Sequence, residues 1–579
     1  MRNMFPLHDL LDDETRSALA EHDDLMAGLL ARRGVTTKAA ADVFLDPSYE
    51  EHIHDPMQIK NMPKAARRVA DAINAGEKIA VWSDYDCDGI PGGVILHDFL
   101  KKAGANFVNY IPHRHNEGYG VNEMGLEKLA SEGVKLVITV DSGITDVEAV
   151  AKANELGMEV IVTDHHLPGP VLPPAFAVID PKQDGETYPF RELCGAALAW
   201  KLSCAVLAHG FTGRELIPVG WEKWLLDMAG LATIADMVPL TGENRVIAKY
   251  GLFVMRKSPR LGFGRLCKAA RVEQRSIAED DVAFMIAPRV NAASRMGDPR
   301  DAFTLFTTTD EVEADLLAKK LEAANRSRRA AAGAITKAVH ERIAEKKLQG
   351  ELPAVIAMGD PDWRPGLLGL VASGIADEYD RPVFLWGREG SNVLKGSCRG
   401  GPGNVHVVEL MTAGGDIFAE FGGHAAAGGF SLHAETVHLL EERLCEALAS
   451  LPAFTHDPFA NADAHIHTHE ATPTLLGKLE RLAPFGMGNP KPTFVFRDVT
   501  IHEVSWFGKS NEHLRLRLKP SPEDFSERNI EGIAFYAKRE LGSDIMKLEA
   551  GNVTSILASL ERDMFTRSRP VRLRLIDIA

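Results

Sequence analysis

Three short apolar runs, each stopped by an aspartate, constrain the fold of this chain more than any other feature. KIAVWS runs into Asp84, KLVITV into Asp141 and MEVIVT into Asp164. Runs rich in β-branched residues and without polar alternation fit strands buried on both faces, as in a parallel sheet covered by helices. The segments GVILHDFLKKAG and DVEAVAKANELG are amphipathic at helical spacing, while ANFVNYI and FAVIDP supply further strands. Residues 76 to about 240 therefore read as a βαβ array. In an open α/β sheet, ligands gather where the strands end, at their carboxyl edge.

That edge collects a distinctive set of side chains. SDYDCDG places Asp84, Asp86 and Asp88 at alternate positions, and TVDSG supplies Asp141. VTDHHLP brings Asp164, His165 and His166, and IADMVP adds Asp236. Carboxylates crowded at one point tolerate one another around cations, and an oxygen-rich set with one or two imidazoles suits Mn²⁺ or Mg²⁺. Singly, the pieces carry less. A solvated acidic turn would account for SDYDCDG, although a calcium loop does not: its twelfth position, counted from Asp84, is Ile95 rather than glutamate. Asp141 and Asp236 could each cap a helix or turn, and Asp164-His165-His166 could open a surface loop.

At 579 residues the chain is too long for one core. Residues 1–75 read as helical and 76–309 as the first α/β domain. From 310 to 348 the sequence lacks proline and holds one glycine, Gly333, so it predicts a single connecting helix. A second α/β domain occupies 349–450, the stretch LPAFTHDP reads as a linker, and 459–579 alternates apolar and polar residues as in a small β-barrel. The six cysteines form no CxxC pair, so they imply neither a zinc site nor a disulfide framework. The acidic start, MRNMFPLHDLLDDE, has no signal-like apolar run, and no stretch approaches membrane-spanning length; a soluble, cytoplasmic protein is expected.

The net charge of −16 argues against a polyanionic partner, but the average hides basic clusters. Arg256, Lys257, Arg260, Arg265, Lys268, Arg271 and Arg275 lie within one stretch, and Lys319, Lys320, Arg326, Arg328 and Arg329 follow. Arg562, Arg567, Arg569, Arg572 and Arg574 stand near the C-terminus. Such surfaces fit either solvated faces or a groove for a threaded polyanion.

The acidic and histidine set resembles the DHH phosphoesterase superfamily, and within it the RecJ single-strand DNA exonucleases. The likeness runs along nearly the whole chain: ARRGVTTKAAADVFLDPSYEEHIHDP, IPHRHNEGYGVN, LCGAALAWKL, APRVNAASRMG, WRPGLLGLVASGIADEYDRPV, KGSCRG, FGGHAAAGGF and PFGMGNPKPTF each resemble a block of that family, in its order. The resemblance implies a DHH domain, a connecting helix, a DHHA1 domain and a C-terminal OB-like barrel. It implies 5′→3′ hydrolysis of single-stranded DNA to 5′-mononucleotides, in recombination and repair, by a monomer with two Mn²⁺ or Mg²⁺ ions. A single-strand-binding protein and a helicase are the implied partners.

Carried onto this sequence, Asp86, Asp88, Asp141, His165 and Asp236 would hold the ions, with Asp84 a ligand or near neighbour. Asp164 would orient the histidines and His166 would meet the scissile phosphate; His166, Asp164 and Asp88 form the expected catalytic set. Arg114, Arg289, Asn291, Ser397, Arg399, Gly422, Gly423 and His424 are expected to bind substrate phosphates, Gly422-Gly423-His424 being otherwise a tight turn between helix and strand. In the barrel, Trp506 and Phe507 beside Lys509, with Arg515 and Arg517, suit base stacking and backbone contact.

Some positions depart from the family pattern: Cys87, Pro91-Gly92, Ser142 and Gly400 stand where other residues are usual, yet no expected ligand is lost. Cys87 invites modification by peroxide unless burial keeps it inert. Two other readings remain open on the sequence: a phosphodiesterase for short RNA or cyclic dinucleotides, which leaves the N-terminal block and barrel unused, and a non-catalytic scaffold, which would not need an intact ligand set.

Overall fold

The aspartate-terminated runs do form strands buried on both faces. In the computed structural model, which describes residues 5–579 apart from 115–116, 389–392, 402–404, 424, 453–460, 509–510, 521–528, 542, 564–565, 567 and 569 and the side chains of 539–540 and 543–544, β1 (Lys78–Ser83), β2 (Phe107–Tyr110), β3 (Val134–Val140), β4 (Glu159–Thr163) and β5 (Ala177–Ile179) make one parallel sheet of order β2-β1-β3-β4-β5. Alternate side chains feed two cores. Ile79 and Val81 pack with Met62, Val69, Ile95 and Ala197, whereas Ala80 and Trp82 pack with Leu126, Leu129, Val150 and Ala153. Helices therefore cover both faces, which is why the strands read as unbroken apolar runs.

This sheet belongs to a unit made of residues 10–325 and, from far along the chain, 477–491. Its N-terminal part is helical, with helices Asp13–Ala18, Asp24–Arg32, Lys38–Leu45 and Met62–Ala75. Helices also dominate after β5, from Gly195–His209 to Arg300–Thr307. Arg245 anchors the 477–491 segment: its guanidinium donates to Leu482 O (2.8 Å) and Ala483 O (2.8 Å), and also to Phe44 O (2.6 Å).

The connecting helix, Glu311–Gln349, is continuous as the absence of proline predicted. The other unit holds residues 1–9, 326–476 and 492–579. Within it, β6 (Ile356–Gly359), β7 (Val383–Gly387), β8 (Leu394–Arg399), β9 (Phe418–Gly423) and β10 (Ala427–Leu432) form a mixed sheet of order β6-β7-β8-β10-β9. Beyond it, β11 (Ala464–His465) adds to β12 (Phe494–Phe507). That strand with β13 (His513–Lys519), β14 (Ile530–Ala534), β15 (Val553–Arg562) and β16 (Val571–Ile578) closes a five-stranded barrel, since β12 pairs with both β13 and β15. Most of the expected linker lies outside the described residues. Among the described residues no helix is long and apolar enough to cross a membrane.

Candidate metal centre

The parallel sheet hands its hydrogen bonding directly to the acids that end its strands. Asp84 N donates to Val140 O (3.1 Å), Asp141 N to Thr163 O (3.0 Å) and Asp164 N to Ile179 O (3.0 Å), so three neighbouring strands deliver their aspartates side by side. Asp141 adopts a left-handed backbone, φ 60°, an uncommon conformation for a residue other than glycine and one that clusters at functional sites. The acidic loop is folded on itself: Asp86 Oδ1 accepts from Asp88 N (2.8 Å) and Gly89 N (3.1 Å), launching helix Gly89–Lys102.

Asp88 faces the N-terminus of helix Gly195–His209 and accepts from Gly195 N (2.6 Å) and Ala196 N (2.7 Å). His165 Nε2 lies 3.1 Å from Asp141 Oδ1, 3.5 Å from Asp88 Oδ2 and 3.7 Å from Asp236 Oδ2. Three overlapping triads bring their ligand atoms within 4.8 Å: Asp84, Asp86 and Asp141; Asp141, His165 and His166; Asp88, His165 and Asp236. Asp141 and His165 each serve two of them.

The electrostatics are those of a site built for cations. Burial first, and then repulsion from Asp86, pushes Asp88 up to about 6. Burial and neighbouring carboxylates also hold Asp84, Asp141 and Asp236 well above the ordinary carboxylate range. Asp84 Oδ1 is buried without a hydrogen-bond partner. A divalent ion answers all of this, giving the orphan oxygen a partner and replacing mutual repulsion with attraction.

Asp164 behaves differently. Its carboxylate accepts from Ile144 N (3.0 Å), His165 N (2.7 Å), His166 N (3.2 Å) and His166 Nδ1 (2.7 Å). Burial opposes its charge, but the bond to His166 and the charge of both imidazoles outweigh it and hold the carboxyl below its usual value. In turn, burial opposes the charged form of His166, and Asp164 overcomes that to push it up to about 9. Asp164 therefore orients His166, whose side chain remains 34% exposed while those of Asp88 and Asp141 are buried.

The expected phosphate ligands divide. The Arg114 guanidinium sits 5.0 Å from the Tyr85 ring centroid and its charge reaches Asp84. Arg289 is buried, with Nε 2.6 Å from Glu322 Oε2 and Nη1 donating to Met285 O, so the protein itself engages this guanidinium. Asn291 Oδ1 accepts from Cys87 N (2.8 Å), fastening the acidic loop. Ser397, Gly429 and Gly422 form one cross-strand row of β8, β10 and β9, with Arg399 two residues along β8. Gly422 and Gly423 are thus in a strand, not in a helix-to-strand turn, and His424 lies outside the described residues. Cys87 is 3% exposed, and burial, with the neighbouring carboxylates, keeps its thiol well above the ordinary value. Part of the basic run from 256 is internally paired: Arg260 pairs with Asp98 (2.6 Å) and Asp227 (2.7 Å), and Arg265 with Glu311 (3.2 Å), while Lys257, Lys268, Arg271 and Arg275 are exposed.

Comparison with known proteins agrees with this geometry. Family models match residues 78–233 (DHH family, N-terminal domain), 351–455 (DHHA1 domain) and 462–577 (RecJ OB domain). The chain is 35% identical to the single-stranded-DNA-specific exonuclease RecJ of Bacillus subtilis (strain 168), over 96% of this chain and 68% of that protein. The chain belongs to the RecJ family. It is 30% identical to RecJ of Haemophilus influenzae, over 90% of this chain and 91% of that one. The crystal structure of RecJ from Thermus thermophilus in complex with Mn²⁺ superposes with a TM-score of 0.79 at 27% identity, covering all of this chain and 80% of that one. Ile144 N and the Gly195–Ala196 backbone, which hold Asp164 and Asp88 in the expected ligand cluster, are not separable in sequence from ordinary helix and turn positions.

Proposed function

We propose that this chain is a metal-dependent exonuclease that degrades single-stranded DNA from the 5′ end and releases 5′-mononucleotides. One observation carries the reading: a buried acid and imidazole cluster at the ends of three parallel strands, in a member of the RecJ family. Asp84, Asp86, Asp88, Asp141, His165 and Asp236 hold two Mn²⁺ or Mg²⁺ ions. When bound, the ions supply Lewis acidity toward the attacked phosphate and lower the pKa of the attacking water. Hydrolysis breaks the bond between phosphorus and O3′ of the terminal nucleotide and leaves the phosphate on the shortened strand.

His166, aligned by Asp164 and partly open to solvent, donates to the scissile phosphate. Arg114 holds phosphate beside the acidic loop. Ser397, Arg399 and the backbone of Gly422 and Gly423, with His424, form a phosphate patch on the glycine-rich sheet; capture of a terminal 5′-phosphate gives the polarity. The sheet itself requires glycine at 423, where a Cβ would lie 2.4 Å from Ala427 O of the neighbouring strand, while position 422 is open. On the barrel, Arg515 stands 5.2 Å from the Phe507 ring and Lys538 5.3 Å from Trp506, a surface for bases and backbone. Lys509 lies outside the described residues. In the cell the reading is of a cytoplasmic monomer in recombination and repair, fed by a helicase and meeting strands coated by single-strand-binding protein.

The test is Mn²⁺-dependent digestion of a long single strand labelled at the 5′ or 3′ end, beside a matched blunt duplex. Immediate release of 5′-labelled mononucleotide with the duplex spared is expected. Digestion from the 3′ end refutes the polarity, cleavage limited to di- or trinucleotides favours a small-substrate phosphodiesterase, and no digestion with any divalent ion favours a scaffold.

A further inference from the structure

Helix Gly242–Met255 begins with three polar residues that the fold buries, Glu243, Asn244 and Arg245. Glu243 accepts from Tyr188 OH (2.7 Å) and His54 N (3.0 Å), and Arg245 reaches the 477–491 segment. Asn244 serves the metal centre instead. Its Nδ2 carries two hydrogens and donates to two carbonyls, Pro239 O (3.1 Å) and Glu192 O. Its Oδ1 is buried without a partner, so the amide is retained for its donors. Pro239 follows Asp236 closely in the chain, and Glu192 closely precedes Gly195, whose N–H holds Asp88. Asp88 and Asp236 belong with His165 to one ligand triad. One side chain therefore ties together two approaches to that triad.

The loop after Asp236 needs such a tie. Asp236 N is held by Ala232 O (2.8 Å) at the end of helix Leu226–Ala235, but the next residue, Met237, has a left-handed backbone, φ 59°. Met237 is 66% exposed, so packing of its side chain does little to offset that conformation, which costs on the order of 1–3 kcal/mol. Such a backbone persists only where its surroundings impose it. Asn244 on Pro239 O and Met487 O on Leu240 N (2.8 Å) hold the loop on its far side.

We propose that Asn244 is a positioning residue of the metal centre, setting Asp236 against Asp88 at the spacing a divalent ion requires. The inference rests on the nuclease reading, in which both aspartates are ligands. Without the amide, Met237 is free to relax to negative φ, which turns Asp236 out of the triad. Binding must then select the minority of molecules with the ligand in place, so affinity for the ion falls. Once the site is loaded, the same geometry is restored and the chemistry proceeds.

The experiment is calorimetric titration of the full-length protein with Mn²⁺ in the absence of DNA, comparing wild type, Asn244→Leu, Asn244→Ser and Tyr188→Phe, with digestion rates measured across the same Mn²⁺ range. Asn244→Leu keeps the size of the side chain without its donors, and Asn244→Ser is the milder change if the first variant does not fold. Tyr188→Phe deletes a bond to Glu243 in the same core and is a partner of neither carbonyl. Both Asn244 variants should bind Mn²⁺ about tenfold more weakly than wild type, while digestion at saturating Mn²⁺ stays within about threefold. Tyr188→Phe should melt earlier than wild type and bind Mn²⁺ equally well. Wild-type Mn²⁺ affinity in a folded Asn244 variant would overturn the inference. So would equal weakening by Tyr188→Phe and Asn244→Ser, which would make the effect one of general stability. A wild type that takes up no Mn²⁺ would instead overturn the metal reading itself, and this inference with it.

Discussion

Gly195 N donates to Asp88 Oδ2 at 2.6 Å, and the next N–H, that of Ala196, donates to the other oxygen at 2.7 Å. The first donors of helix Gly195–His209, which have no partner inside the helix, are therefore used on a carboxylate 107 residues earlier in the chain. Asp88 is consequently fixed before any cation arrives. Its two backbone bonds favour the charged form against the burial and repulsion that disfavour it. A ligand held this way loses little conformational freedom on binding metal.

That relationship leaves no room for a side chain at position 195. A Cβ there would lie 2.6 Å from Asp141 Cβ and 3.0 Å from Asp88 Oδ2. Gly195→Ala should displace both carboxylates and lower turnover by roughly 100-fold, as ångström-scale misplacement does. Single-turnover digestion at saturating Mn²⁺, with a thermal melt to establish that the variant is folded, checks this. Wild-type turnover in a folded variant would remove the close approach from the account.

Asp141 belongs to two of the three ligand triads, so its loss should be felt by more than one ion. Asp141→Ala should abolish digestion while single-strand affinity, measured by anisotropy with a labelled oligonucleotide, stays within about threefold of wild type, because the barrel and phosphate patch are untouched. Retained turnover would refute the metal assignment.

Asp180 offers a pH dependence outside the expected ligand set, although the charges of Asp164 and His166 reach it. It follows β5, is fully buried, and its Oδ2 has no hydrogen-bond partner. Burial raises it to about 7, against the Lys182 N–H bond to Oδ1. The folded-state value thus exceeds the unfolded value of about 3.9. Stability from the neutral form is complete below the unfolded pKa and is lost as pH rises through about 7. Asp180→Asn should therefore stabilise the protein more at pH 8 than at pH 5.5, the two effects differing by about 2 kcal/mol, because half of the loss between the unfolded and folded pKa values is still to come at pH 5.5. Urea midpoints at the two pH values measure it; an equal shift at both would show that ionisation is not the cause.

The strands, their order along the chain and the acids that end them were legible because both-face burial leaves an unbroken apolar run and the ligand follows it directly. The connecting helix was legible because nothing in Glu311–Gln349 breaks a helix. What escaped depends on partners distant in sequence. Arg260 reads as part of a basic surface until Asp98 and Asp227 enclose it. Asn291 reads as a phosphate ligand, but nothing in the sequence shows that its Oδ1 also accepts from Cys87 N and fastens the acidic loop. Residues 477–491 read as part of the barrel because no composition change sets them apart, yet they fold with residues 10–325.

This last feature changes how the barrel should be removed. Arg245 is buried and donates to Leu482 O and Ala483 O, while Arg33 Nε donates to Asn489 Oδ1 at 2.6 Å and Phe485 N to Glu279 Oε1 at 3.2 Å. A chain ending at residue 458 discards these partners and leaves the buried guanidinium with Phe44 O but without its acceptors in the 477–491 segment, a loss of several kcal/mol in order of magnitude. A chain ending at Lys491 keeps them and removes only the barrel strands from β12 onward. We expect the longer truncation product to hydrolyse very short strands near the wild-type rate while binding long strands at least about tenfold more weakly. The shorter product should lose both activities and melt earlier, and full-length Arg245→Ala should share its lower melting temperature while keeping the barrel. Initial rates on a trinucleotide, affinity for a long strand and melting temperature separate the cases. Equal losses of trinucleotide hydrolysis by the two truncated chains would mean that the barrel, rather than the 477–491 segment, supports the catalytic unit.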